Sequence, residues 1–236
     1  MRVYLPVNSP RRLTASSSRT LRQIRRVPSG ILFSADRALR RAGAAVLLLA
    51  CGAMTPGVAQ AATYTVTSTA DSVPAAAGTL RWAIEQAKSN PGPDTITFNI
   101  SGSGVHTITL VSEIHIEDNG VTIDGTTQPG YAGTPLIEIT GNGVVSRGLY
   151  FIGASDCLVR GLCINGIAIN GLYFEACTRC TVQACYLGVD PTATTPVPIG
   201  FSGVAFVYGG EDNVIGGTGN GEGNLFGSMD IAVDIM

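Results

Sequence analysis

Gly148-Leu149-Tyr150-Phe151 returns 23 residues later as Gly171-Leu172-Tyr173-Phe174, and once more, degraded, as Gly203-Val204-Ala205-Phe206. Later positions of the first two copies also match: Cys157 falls on Cys180, Val159 on Val182 and Ile164 on Leu187. The third copy sets Val214 opposite Val182, after an inserted Pro/Thr loop from Asp190 to Ser202. A fixed period above about 20 residues signals stacked supersecondary units. Each unit holds runs of three to five residues bounded by Gly, Asn or Asp, too short for helices and suited to strands. Three short strands and three turns per repeat make one coil of a parallel β-helix, a solenoid whose coils pair only with their neighbours. Gly, Asn and Asp suit its corners because they tolerate positive φ. An antiparallel sandwich is the alternative, but it requires no internal repeat.

Charge is divided unevenly along the 236 residues. Ten of the 15 basic residues are Arg before position 42, where Asp36 is the one acidic residue. From Ala62 onward there are 5 basic and 16 acidic residues, a net of −11. That balance argues against nucleic acid as a partner, since phosphate binding needs a basic footprint. The basic N-terminus runs into the apolar stretch Ala42 to Ala53 and then Ala59-Gln60-Ala61. Positive region, short apolar core and small-x-small site mark residues 1–61 as an export signal, with a mitochondrial presequence as the runner-up. Leu48-Leu49-Ala50-Cys51 also resembles a lipobox, which would anchor the chain through a lipidated Cys51. Secretion or cell-surface display, with no transmembrane span in the mature chain, is the expected localisation.

After the signal, Tyr64 to Thr67 alternates as a strand. Thr79 is placed to cap a helix over Thr79–Ser89, whose apolar residues Leu80, Ala83, Ile84 and Ala87 share one face. Pro91-Gly92-Pro93 ends it. A solenoid leaves the apolar end of its first coil open, and this amphipathic helix is suited to cover it. Residues 62–105 therefore read as an N-terminal cap of strand, helix and strand, and 106–236 as coils. Alternation points Ile96, Phe98, Ile114, Ile116, Val121, Ile123, Ile137 and Ile139 inward. Trp82 is expected to anchor packing. The fold class expected is all-β, a right-handed parallel β-helix with one amphipathic capping helix.

Tyr64-Thr65-Val66-Thr67, Gly78-Thr79-Leu80-Arg81-Trp82-Ala83-Ile84 and Pro93-Asp94-Thr95-Ile96-Thr97-Phe98 together resemble the N-terminal module of bacterial secreted right-handed parallel β-helix proteins. Those carry an S-L-R-x-A-I helix between two such strands; Thr79 stands here for the Ser. Val121-Thr122-Ile123-Asp124-Gly125 and Asn213-Val214-Ile215-Gly216-Gly217-Thr218 are similar to coil motifs of the same group. The resemblance implies a pectate-lyase-like fold, export and an extracellular role. It implies no activity, because one fold serves many functions.

Glu113, His115 and Glu117 share one parity opposite Ile114 and Ile116, so a strand presents two carboxylates and an imidazole outward in a row. Such a set is capable of acid/base work on a glycosidic linkage, although a solvated strand face has the same pattern. No Gly-His-Gly and no basic residue beside a carboxylate cluster on consecutive coils accompanies it. Tyr150 and Tyr173 fall one coil apart, in position for a sugar platform or for packing beside the coil. Thr65/Thr67, Thr95/Thr97 and Thr107/Thr109 are paired, but the spacing of the last two pairs puts them on different faces.

With Cys51 removed, five cysteines remain: 157, 163, 177, 180 and 185. Cys157 and Cys180 stack on adjacent coils at strand spacing and are the disulfide candidates; an odd number leaves one thiol over. A zinc site from Cys177-x-x-Cys180 with Cys185, or a ladder of buried free thiols, are the alternatives. No metal or cofactor motif is present; the acidic surface is compatible with calcium without indicating a site for it. Ile231, Val233 and Ile235 alternate inward where the sequence ends. An open coil end there invites end-to-end association, or further coils that complete a longer product. The expected function is an exported structural, adhesive or carbohydrate-binding module whose partners are polysaccharide or cell-surface components. A polysaccharide lyase or glycoside hydrolase is the alternative.

Overall fold

A computed structural model describes residues 60–236; the expected export signal and Cys51 fall almost wholly or wholly outside that range. Strand β1 (Thr63–Val66) leads to helix α1 (Leu80–Lys88) and then to five coils. The coils comprise β2 (Thr95–Phe98), β3 (His106–Thr109) and β4 (Ile114–Ile116); β5 (Thr122–Asp124), β6 (Ile137–Thr140) and β7 (Arg147–Ile152); β8 (Leu158–Arg160), β9 (Leu162–Asn165) and β10 (Asn170–Glu175); β11 (Thr181–Gln183), β12 (Tyr186–Leu187) and β13 (Ser202–Val207); and β14 (Val214–Ile215), β15 (Leu225–Phe226) and β16 (Ile231–Ile235).

Corresponding strands of successive coils pair in three all-parallel sheets. The first sheet runs β1-β2-β5-β8-β11-β14, the second β3-β6-β9-β12-β15 and the third β4-β7-β10-β13-β16. This is a parallel β-helix with three faces, as the repeat predicts.

The repeat is legible in the register. Leu149, Leu172 and Val204 share one rung of the third sheet, and Phe151, Phe174 and Phe206 another. The three Phe rings stack at centroid distances of 4.5 and 4.7 Å along the tube interior. Of the residues that alternation turns inward, Ile96, Phe98, Ile114, Ile116, Val121, Ile123, Ile137 and Ile139 are buried, whereas in β16 Ile231 and Val233 are half-buried and Ile235 is exposed. The repeated glycines have a steric cause: a Cβ on Gly148 would stand 2.5 Å from the carbonyl oxygen of Gly171, and one on Gly171 2.8 Å from that of Gly203. Neighbouring coils approach too closely there for any side chain.

One alignment is corrected. Val214 pairs with Thr181, and Ile215 is the partner of Val182. Asn213 decides this: its side chain accepts from the Cys180 amide (2.9 Å) and donates to the Cys177 carbonyl (2.9 Å), locking the corner one residue away from the hydrophobic match. Val214 is left exposed while Ile215 packs on the core.

Helix α1 begins as expected, with the Thr79 hydroxyl accepting from the Trp82 amide (3.2 Å). Its Leu80, Ala83 and Ile84 join the same apolar cluster as Ile96, Ile114 and Ile116 of the first coil. Trp82 meets Tyr64 edge-on at 6.3 Å. Arg81 turns inward despite its charge. It forms a two-point pair with Asp71, both contacts 2.7 Å, and donates to the backbone carbonyls of Ser112 (2.9 Å) and Glu113 (3.0 Å). Asp71 in turn accepts from the Val111 amide (2.9 Å). One buried ion pair thus ties the helix and its preceding loop to the lead-in of β4. Among the described residues no helix is long and apolar enough to cross a membrane.

Candidate functional site

The site assembles on the outer face of the third sheet, at the edge where α1 lies beside β4. Alternation in β4 buries Ile114 and Ile116 and turns His115 outward, with Glu113 and Glu117 on the same side. Together with Glu85 and Lys88 of α1 they line a groove of ≈ 270 Å³ floored by Ile84 and Ile114. Lys88 donates to Glu117 across the groove (2.9 Å), and the ammonium holds that carboxyl below its ordinary range. Because Arg81 grips the Glu113 carbonyl, the strand carrying the row is fixed against the helix.

Two groups of residues that the sequence leaves separate meet here. His115 pairs in register with Tyr150, and Tyr150 with Tyr173, so the three rings form one outward row over three coils. His115 and Tyr150 are 5.0 Å apart and Tyr150 and Tyr173 5.1 Å, each pair edge-to-face, an arrangement aromatic rings favour. The His115 Nε2 lies 3.4 Å from the Glu113 carboxylate.

Arg147 completes the group. Its guanidinium lies over the rings of both Tyr150 (4.9 Å) and Tyr173 (4.3 Å), and approaches the other Glu113 oxygen at 3.5 Å. A basic residue therefore does stand beside a carboxylate on consecutive coils, contrary to the reading of the linear sequence. The platform expected of the tyrosines is also modified: Arg147 covers their faces, and Tyr173 is 8 % exposed. It packs with Ala205 and Val207 in a small apolar cluster on the outside of the sheet.

The Tyr150 hydroxyl donates to Glu175 of the next coil, and this carboxylate pushes the phenol up to about 12. Tyr150 is thereby held neutral and oriented at ordinary pH. Arg147 and Glu175 were not read from the sequence. Their signal lay in the repeat itself: Arg147 directly precedes the first repeated Gly, and Glu175 stands two residues past Tyr173, on its outward parity.

Four cysteines, Cys157, Cys177, Cys180 and Cys185, lie in the apolar core of the tube; Cys163 alternates with the inward Leu162 and Ile164 and is buried outside that core against the Val189 carbonyl (3.3 Å). Cys157 and Cys180 occupy neighbouring coils as expected, yet all five described cysteines are free, buried thiols. The Cys157 sulfur faces the Asp118 and Ser155 carbonyls (both 3.5 Å), and the Cys180 sulfur those of Thr178 (3.6 Å) and Ala154 (3.8 Å). Burial pushes the Cys185 thiol up to about 12. Among the described residues no group of three or more His, Cys, Asp or Glu side chains is arranged to hold a metal. Thr95/Thr97 and Thr107/Thr109 lie on different sheets, so they form no common array.

The arrangement offers an exposed carboxylate at Glu85, a Glu113 carboxylate held by His115 and Arg147, a half-exposed imidazole, a tethered ammonium and an apolar floor. Within it the Glu113 carboxylate meets both the His115 imidazole and the Arg147 guanidinium. No family model matches the chain and no curated protein matches it, so the residues themselves carry the reading.

Proposed function

We propose that this chain is an exported, right-handed, pectate-lyase-like β-helix that binds carbohydrate at the groove between α1 and the third sheet. The observation that carries the reading is the row Glu113, His115 and Glu117 lining that groove, with His115 continuing into Tyr150 and Tyr173. Sugars present hydroxyls to charged acceptors and C–H faces to apolar or ring surfaces, and the groove supplies both. Right-handedness rests on the rule that parallel crossovers within one sheet take that hand almost without exception. Export and the bacterial pectate-lyase-like relationship rest on the basic and apolar leader and on the motif around Thr79-Leu80-Arg81-Trp82-Ala83-Ile84. The partners are polysaccharides or cell-surface components.

A second reading, a polysaccharide lyase or glycoside hydrolase, is favoured by the contact of His115, Glu113 and Arg147. One experiment addresses both. The secreted chain is titrated against an array of neutral and acidic polysaccharides, with calcium present or chelated, and new reducing or unsaturated ends are assayed on each hit. Binding that falls at least tenfold in His115→Ala and Glu113→Gln, without product, supports the module. Product that disappears in the same variants makes the site catalytic. Binding unaffected by either variant removes the groove from the function.

A further inference from the structure

A second groove, on the outside of the first sheet, has a different composition and runs along the solenoid rather than across it. Asp124, Arg160 and Gln183 occupy one rung position on β5, β8 and β11 and stack outward one coil after another. The loop after β5 flanks this row with Thr126 and Tyr131, and the Gly-rich loop of the fifth coil closes the other side with Asn220 and Glu222. The space between is ≈ 430 Å³. Its walls come from the second, third, fourth and fifth coils, so it extends over three coil spacings, roughly 14 Å.

Its chemistry is mixed and nearly self-neutralised. Arg160 donates to Asp124 (2.6 Å), which also accepts from the Thr126 amide (3.0 Å) and hydroxyl (2.6 Å). Glu222 accepts from the Gly219 amide (2.6 Å). The Nε of Arg160 is buried without a partner, a donor left unsatisfied beside the groove. Gln183 adds a donor and an acceptor, and Tyr131 an aromatic wall partly withdrawn from water. A uronate chain would meet the Glu222 carboxylate beside the one cation, whose charge the buried Asp124 already offsets. A polycation would meet Arg160. Hydroxyl groups, each able to donate and accept, match every group along the row.

We propose that this groove is a binding site for a linear, uncharged oligosaccharide lying parallel to the solenoid axis. The coil spacing of about 4.8 Å is close to the repeat of an extended β-1,4-linked sugar chain, so one sugar ring lies opposite each coil. The inference is independent of the groove beside α1, and its test separates the two.

Isothermal titration of the secreted chain with a β-1,4-linked glucose tetrasaccharide, with the corresponding β-1,4-linked glucuronate tetrasaccharide as the charged probe, is the direct measurement. The expected result is binding of the neutral probe at least tenfold tighter than the charged one. Tyr131→Ala and Gln183→Ala each weaken it by about tenfold, while Val144→Ala, an exposed position outside both grooves, leaves it unchanged. Both groove variants keep the wild-type melting temperature, since neither side chain lies in the core cluster. Absence of binding by the neutral probe, a preference for the glucuronate, or binding lost in His115→Ala but retained in Tyr131→Ala and Gln183→Ala overturns the assignment.

Discussion

Arg81 and Asp71 face each other through two 2.7 Å contacts beneath the first coil, both side chains almost wholly buried. A buried pair like this adds little over an apolar replacement of both partners, but removing one leaves an uncompensated charge. Arg81→Leu is expected to destabilise the fold by about 3–5 kcal/mol, and Asp71→Asn to do so in the same direction. Urea unfolding checks this. A loss below about 1 kcal/mol would mean the pair behaves as a surface contact and does not hold the cap in place.

The close approach of coils at Gly148 and Gly171 makes a second prediction. Gly171→Ala would put a Cβ 2.8 Å from the Gly203 oxygen, which is backbone and cannot swing aside. The neighbouring coil must move, at an expected cost of about 1–3 kcal/mol. Gly143→Ala serves as the comparison for space alone, since nothing lies within 4 Å of that position; its positive φ of 71° brings a separate local strain. Crowding at Gly171 is the wrong account if its variant melts at the wild-type temperature.

Tyr150 is expected to ionise late. Its pKa is raised from 10.0 to about 12, first because its hydroxyl is hydrogen-bonded to the Glu175 carboxylate. The folded chain therefore keeps the phenolic proton more tightly than the unfolded chain. The stability this contributes is complete below pH about 10 and is lost as pH rises through about 12. In Glu175→Gln the pKa returns toward the ordinary tyrosine value. Ring-carbon NMR of Tyr150 over an alkaline titration reads both; equal values in the two proteins would sever the link.

Asparagine side chains stand in for backbone at the corners. Asn213 satisfies the Cys180 amide and the Cys177 carbonyl, and Asn224 the Cys185 amide (2.9 Å) and the Val182 carbonyl (2.8 Å). Asn224→Ala leaves one donor and one acceptor without partners, an expected loss of about 1–3 kcal/mol for each. Hydrogen exchange at the Cys185 amide should quicken more than at core amides of β10. Unchanged protection at Cys185 would show that water replaces the side chain without cost.

Much of the fold follows from local pattern. The inward parity of Ile114, Ile116, Ile123 and Ile139, the cap at Thr79 and the rung Leu149–Leu172–Val204 are properties of neighbouring residues or of one repeated string. A strand alternates whatever its partner, and a repeat that buries the same face must stack on itself. The sequence went wrong by one residue at Val214, where hydrophobic matching competes with a corner asparagine. Two hydrogen bonds from a side chain outweighed an apolar alignment there, and no pattern of hydrophobicity records them.

The site is another matter. An outward residue such as His115 carries no periodic signal, and the repeat marks Arg147, Tyr150 and Glu175 by position alone, because solvent accepts almost any side chain on that face. Parity determined that His115, Tyr150 and Glu175 point out; Arg147 shares the parity of the inward Leu149 and Phe151, and only the fold sets its guanidinium over the tyrosine rings. Which of them meet depends on the register of β4, β7 and β10, and the loops that set it differ in length from coil to coil. His115 reaches Tyr150 across 35 residues and Tyr150 reaches Tyr173 across 23. Only pairing in three dimensions brings those separations within contact. The amino-acid string thus determined a stacked tube with its aliphatics inside, and the tertiary structure decided which charges and rings stand together on its surface.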